Sequence, residues 1–262
     1  MKYCVDYYKH IDGLDKADEY TIRYSKKNDV LITFLQENQN KIVNLTIEEA
    51  LDAGDYKTLK AIYQTFPNFR LRFERYNPET IEDIVECGIP FFFGNRVNNW
   101  DEFLGLLDLG VTDIYVIEDM CFDLERVAIA AKLEGVQLRT YANIAQSTWK
   151  DTPGVFKFWI RPEDIDLYSN YIDTIEFFGT PQQQGILVKV YSEIKQWFGP
   201  LNEIIIGLNE SIDSRYIVKE FGERRLHCQK NCRKGGKCRV CHRVLELSKL
   251  LEQNDLIVKK DK

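Results

Sequence analysis

No apolar run in this chain approaches the roughly 18 residues that cross a bilayer, and its first twenty residues, MKYCVDYYKHIDGLDKADEY, hold no apolar signal core. The expectation is a soluble, unsecreted, cytoplasmic protein with no membrane partner. Histidine is scarce: there are three, and none falls in a strand-like run. That argues against a His-ligated catalytic zinc, and against a Ser-His or Cys-His relay, at the end of a strand. No lysine follows such a run to form a Schiff base. No glycine-rich phosphate loop follows one either, which disfavours an open doubly wound sheet.

What is present is a regular alternation within a 262-residue chain that is 44% hydrophobic. From residue 41, strand-like runs alternate with mostly helical segments: KIVNLTI, FRLRFER, IPFFFGN, DIYVIED, VQLRTYAN, KFWIRP, TIEFFGT and EIIIGLN. Several of these runs are short, with β-branched or aromatic residues on both faces, as when helices cover one side and packed side chains the other. Asn99, Asp123 and Thr180 suit helix caps, Pro162 and Pro181 suit first turns, and Gly88, Gly110, Gly135 and Gly199 suit helix ends. Eight such units predict an α/β fold, a (β/α)8 TIM-like barrel over residues 41–222. Residues 1–40 read as a β-rich lead-in containing a hairpin, and residues 223–262 as a cysteine-rich knuckle followed by a helix.

Barrel enzymes place their chemistry where strands run into the following helices. Those ends supply the candidate catalytic residues Arg96, Glu118, Asp119, Asn143, Arg161 and Glu176. A Glu118–Asp119 pair suits a hard metal or acid–base work, and Arg96 and Arg161 suit a carboxylate or phosphate. The competing reading is a polar rim whose charges pair with one another. Cys121, close behind the acidic pair, reads either as a reactive thiol or as a small buried hydrophobe.

The seven cysteines are an odd number, and Cys4, Cys87 and Cys121 lie far apart, so a disulfide framework is not expected. The other four, Cys228, Cys232, Cys238 and Cys241, are spaced C-x3-C-x5-C-x2-C. Four thiolates at this spacing, with Gly235 and Gly236 freeing the turn, predict a closed zinc site, with a [4Fe-4S] cluster as the alternative. Eight of the 35 basic residues lie between Arg224 and Arg243 with no acid among them. The rest of the chain therefore carries 27 bases against all 41 acids, a net of −14. Arg233, Lys234, Lys237 and Arg239 either offset the thiolate charge or dock nucleic acid or a protein partner. Beyond the cysteines, Val244, Leu245, Leu247, Leu250 and Leu251 recur at helical spacing, and this helix is expected to pack on the barrel.

The segment GVTDIYVIEDMCFDLERVAIAAKLEGVQLRTYAN resembles the strand-loop-helix-strand unit of the collagenase-like peptidase family, whose relatives include RNA-hydroxylation proteins. The short EFFG from Glu176 to Gly179 is similar to the start of that family's Glu-x-Phe signature. The resemblance covers about a quarter of the chain. It implies a barrel, a four-cysteine iron-sulfur cluster, and a peptidase or RNA-modifying activity. TPQQQGILV stands where the family places cysteines, so no catalytic residue is carried over.

Overall fold

In runs such as FRLRF and TIEFF, apolar and charged residues alternate. A strand sends successive side chains to opposite faces, so each of these runs has one apolar and one charged face. The computed structural model describes residues 1–8, 11–77, 80–95, 97, 99–116, 124–143, 156–157, 160–196, 202–205, 211–213, 243, 246–247 and 250, with the backbone alone at 143, 156–157, 202–205 and 211–213. Among them the strands are β1 (Lys2–Asp6), β2 (Glu19–Arg23), β3 (Ile42–Ile47), β4 (Phe69–Phe73), β5 (Phe91–Phe93), β6 (Asp113–Tyr115), β7 (Gln137–Asn143), β8 (Phe156–Lys157), β9 (Thr174–Phe178), β10 (Asn202–Ile205) and β11 (Ser211–Asp213).

Eight of these, all but β8, β10 and β11, run parallel in chain order around a nearly closed TIM-like barrel. Parallel ladders join β1 through β5, then β6 to β7, β7 to β9 and β9 back to β1. The seam between β5 and β6 is held by the Thr112 N–H to the Phe91 carbonyl at 2.9 Å and the Val97 N–H to the Tyr115 carbonyl at 3.2 Å.

The fold class is as expected, but the barrel is cut from a different stretch of chain. Residues 1–40 supply the first two staves, β1 and β2, and not a hairpin lead-in. The strands at the start of the runs KFWIRP and EIIIGLN, β8 and β10, fall outside the ring. There β8 pairs antiparallel with β7 and parallel with β10, which in turn pairs with β11. The reason lies in the first connection. Among the described residues of the 7–18 connection there is one 3-10 turn, Leu14–Lys16, and no crossover helix. A dozen residues is the least that returns a strand to parallel alignment.

Helices α1 (Asn28–Glu37), α2 (Ala53–Thr65), α3 (Ile81–Cys87), α4 (Trp100–Asp108) and α5 (Leu124–Leu133) link successive staves from β2 to β7. The short α6 (Ile165–Tyr168) precedes β9, and α7 (Pro181–Lys189) follows it. The apolar core lies between wall and helices, where Leu45, Leu71, Phe93, Ile114, Leu138 and Phe177 meet residues such as Leu35, Leu59, Phe103, Val127 and Leu187. The Asn99 side chain accepts from the Glu102 N–H, and Thr180 and Gln183 form a capping box at α7. Pro162 and Pro181 occupy first turns, and Gly88, Gly110 and Gly135 follow α3, α4 and α5, all as expected. Asp123, Gly199 and the cysteine knuckle lie outside the described residues. Beyond the knuckle, Arg243, Glu246, Leu247 and Leu250 are helical. Leu247 is 38% and Leu250 54% exposed; the other apolar positions of this helix, Val244, Leu245 and Leu251, lie outside the described residues. No described helix is long and apolar enough to cross a membrane.

Candidate active site

With the apolar face of each stave turned to the helices, the polar face fills the barrel. Its inner layer is ionic. Arg70 donates from Nη2 to Glu19 at 2.7 Å, from Nη1 to Asp113 at 2.5 Å and from Nε to Asn44 at 2.8 Å. Arg139 donates from Nη1 to the same Glu19 oxygen at 2.8 Å and to Asp113 at 3.0 Å. Both guanidiniums lie against the Phe92 ring, 5.3 and 5.0 Å from its centroid. Burial alone would raise the Glu19 carboxyl, but Arg139 and Arg70 outweigh it and hold it down at about 2. Its charges balance, two cations for two anions, and it is tied to the layer above by Asn44, which donates to the Cys4 sulfur at 3.2 Å, and by Arg139, 3.9 Å from Glu176; it reads as structure.

The next layer toward the C-terminal ends of the strands contains Cys4, Arg72, Tyr115 and Glu176. Arg72 Nη1 donates to Glu176 Oε1 at 2.7 Å, and the Tyr115 hydroxyl donates to Oε2 of the same carboxylate. Arg72 Nε is sealed: it has no hydrogen-bond partner, and a Cβ at Gly94 would stand 3.2 Å from it. Burial, and next the Glu176 charge, push both the Cys4 thiol and the Tyr115 hydroxyl well up, so both stay protonated.

The last residue of β1, Asp6, stands above Glu176 at the mouth. Its register places it one inward position beyond Cys4, which pairs with Glu176. Asp6 is half-buried, and its Oδ2 accepts from Gln184 Nε2 at 3.0 Å. Among the described residues its Oδ1 receives no hydrogen bond. Burial pushes the carboxyl up and Glu176 adds to the rise, while Gln184, Arg72 and Arg23 pull against it. A carboxyl with one tethered and one open oxygen, at the end of a barrel strand, can take and return a proton. Nearby on the rim, Arg23 pairs with Glu48 at 3.2 Å, and the buried Asn95 Oδ1 has no hydrogen-bond donor.

Of the expected site residues, two have described side chains, Glu176 and Arg161, and these two do not come together. Glu176 is the middle residue of β9, not its end, and lies buried inside the barrel below the mouth, paired with Arg72. Arg161 lies on the opposite side of the wall. Its neighbour Ile160 accepts from the Tyr191 hydroxyl, and Tyr191 packs on Phe177, which faces outward from β9. Its guanidinium fork is filled by Asp164, at 2.6 and 2.7 Å, which leaves that edge no room for a substrate carboxylate or phosphate. Asn143 ends β7, opposite Phe178. Arg96, Glu118, Asp119 and Cys121 lie outside the described residues, as do Cys228, Cys232, Cys238, Cys241 and the basic residues Arg233, Lys234, Lys237 and Arg239. Among the described residues no group of His, Cys, Asp or Glu is arranged to hold a metal.

Sequence reasoning passed over Asp6, Arg72 and Tyr115. The signal for the buried set was the i, i+2 alternation of charges in FRLRF and their spacing in KYCVD and EYTIR. On a stave whose outer face is covered by helices, such charges must point inward.

No family model matches the sequence, and no curated protein matches it. Similar solved structures include a cube-shaped, highly porous protein cage designed by fusing symmetric oligomeric domains (13% identity over 100% of this chain and 87% of that one, TM-score 0.44). They also include the native KDPGal structure (8%, 72% and 91%, 0.42). A third is nitroalkane oxidase from Streptomyces ansochromogenes (8%, 66% and 64%, 0.36). The assignment of a TIM-like barrel therefore rests on the parallel order and closure of the eight staves.

Proposed function

We propose that this chain is an enzyme that performs acid–base chemistry on a small molecule bound at the C-terminal mouth of the barrel, with Asp6 as the group that moves the proton. The observation that carries this reading is the Asp6 carboxyl, raised by burial and, among the described residues, left with one oxygen that receives no hydrogen bond, where barrel enzymes place their sites. The Arg72–Glu176–Tyr115 cluster is the floor of that site. It fixes the charge beneath the substrate and excludes water from below.

The four cysteines Cys228, Cys232, Cys238 and Cys241 form the second part of the proposal, a zinc or [4Fe-4S] site supported by their spacing. Such a metal would staple the knuckle or, as a cluster, carry electrons.

The test has two arms. The full chain, purified without oxygen, is incubated with a small-molecule extract and compared with Asp6→Asn by mass spectrometry. Compounds converted by the wild type and spared by the variant support the reading, whereas no conversion, or equal conversion by both, overturns it. Metal analysis and the visible spectrum of the same sample address the knuckle. About one zinc per chain without visible absorption indicates a staple, iron and sulfide with a bleachable band indicate a cluster, and neither metal removes the site.

A further inference from the structure

Gln184 is fully buried on α7, although a leucine would fill that position without the cost of desolvating an amide. All three of its side-chain hydrogen bonds are specific in direction. Its Oε1 accepts the Asp6 backbone N–H at 2.9 Å, and its Nε2 donates to Asp6 Oδ2 at 3.0 Å and to the Gly179 carbonyl at 3.1 Å. Turning the amide over would set an oxygen against two acceptors and an NH2 group against a donor, so one orientation alone satisfies the set. The helix is itself fixed. Thr180 and Gln183 cap its start, and the backbone of Asp12 and Gly13 approaches Gly185 so closely that a Cβ on Gly185 would strike the Asp12 carbonyl oxygen.

We infer that Gln184 is the positioning residue of the mouth: it ties Asp6 Oδ2 and the Asp6 backbone together, so that Oδ1 alone faces the substrate. This inference rests on the acid–base reading of Asp6. The tether fixes the direction of proton transfer, which proximity effects reward. It also favours the charged carboxylate against the burial that opposes it. The other charged groups that act on Asp6 are Glu176 from β9, Arg72 from β4 and Arg23 from β2. None of these is altered by a change at position 184.

The test follows the Asp6 side-chain carboxyl by carbon NMR through a pH titration of the full chain, without substrate. In Gln184→Met the midpoint is expected to rise by about one pH unit, because a hydrogen bond to the charged form is lost. An unmoved midpoint in a folded Gln184→Met protein overturns the tether. Gln184→Glu keeps the acceptor for the Asp6 N–H but sets a second carboxyl against Oδ2. The pair is then expected to titrate in two coupled steps, the upper well above that of the wild type. A single unshifted step overturns the tether, even if Gln184→Met fails to fold. Because no turnover is measured, the two readings separate. Shifted titration without Asp6-dependent conversion keeps the tether and sinks the enzyme reading, and conversion with unshifted titration does the reverse.

Discussion

Replacing Arg139 by methionine should be among the most damaging single changes in this protein, and the damage should fade in acid. Arg139 is fully buried and donates from one nitrogen to both Glu19 and Asp113. Without it, Arg70 faces two buried carboxylates alone, and the inner layer carries a net negative charge. Removing one partner from a buried ion pair costs about 3–5 kcal/mol. The pH dependence supplies the sharper test. In the wild type, Glu19 is held at about 2 against an ordinary 4.5, which is worth about 3 kcal/mol at neutral pH. That stability is fully present above pH 4.5 and is lost as the pH falls toward 2. In Arg139→Met the strongest attraction on Glu19 is gone and burial prevails, so the carboxyl protonates at a higher pH. The stability gap between the two proteins should therefore narrow as the pH drops from 7 to 4.5. Urea unfolding across that range measures it. A deficit below about 1 kcal/mol at pH 7, the size of an ordinary substitution, would refute the network, and so would a deficit that does not change with pH.

Three further expectations concern other parts of the barrel. Cys4 is buried, and its thiol is held protonated, so in the native protein it should resist alkylation at pH 8 and react only when unfolded; peptide mapping after iodoacetamide checks this, and rapid native labelling would contradict it. Gly185→Ala should cost about 1–3 kcal/mol through overpacking against the Asp12 carbonyl, read from urea midpoints, with an unchanged midpoint counting against that close approach. Asp6→Asn should leave the melting temperature at pH 7 equal or higher: the folded carboxyl is raised above its ordinary value of 3.8, so its ionisation at neutral pH disfavours the fold. Any gain should vanish below pH 3.8, where Asp6 is protonated in folded and unfolded chains alike, and a loss of stability at pH 7 would contradict the sign.

The barrel itself was legible because six staves announce themselves as short strand-like runs punctuated by Asn99, Thr180, Pro181 and the helix-ending glycines. The other two were hidden by chemistry that is also local. KYCVDYY and EYTIRYS are joined by IDGLDKAD, whose glycine and aspartates suggest a hairpin turn, yet hydrogen-bond register pairs Cys4 with Glu19 in parallel. Nothing local to the loop sets that direction. It shows only in the pairing with the flanking staves, Cys4 with Glu176 and Thr21 with Asn44, far away in sequence. The same displacement hid Asp6, which cannot be recognised as the end of a barrel strand until β1 is known to be one. Arg161 shows the opposite failure. It follows a strand-like run, but Asp164 three residues on fills its fork, a pairing visible in RPED once a turn is assumed there.

The buried charges also divide unevenly along the chain. Below the mouth, the staves from β1 to β4 bring two arginines, Arg70 and Arg72, against one acid, Glu19. Those from β5 to β9 bring Asp113 and Glu176 against Arg139 alone. Each half of the barrel is therefore left with an unmatched interior charge, positive in the first half and negative in the second, and only the other half cancels it. A half-barrel would bury that charge uncompensated, so intermediates with one half formed are disfavoured, and the ring should assemble and come apart as a single unit. The partners are joined across long stretches of chain, from Glu19 to Arg139 and from Arg72 to Glu176. Such a topology folds slowly, and the two halves, expressed as separate pieces, would be expected to seek each other out.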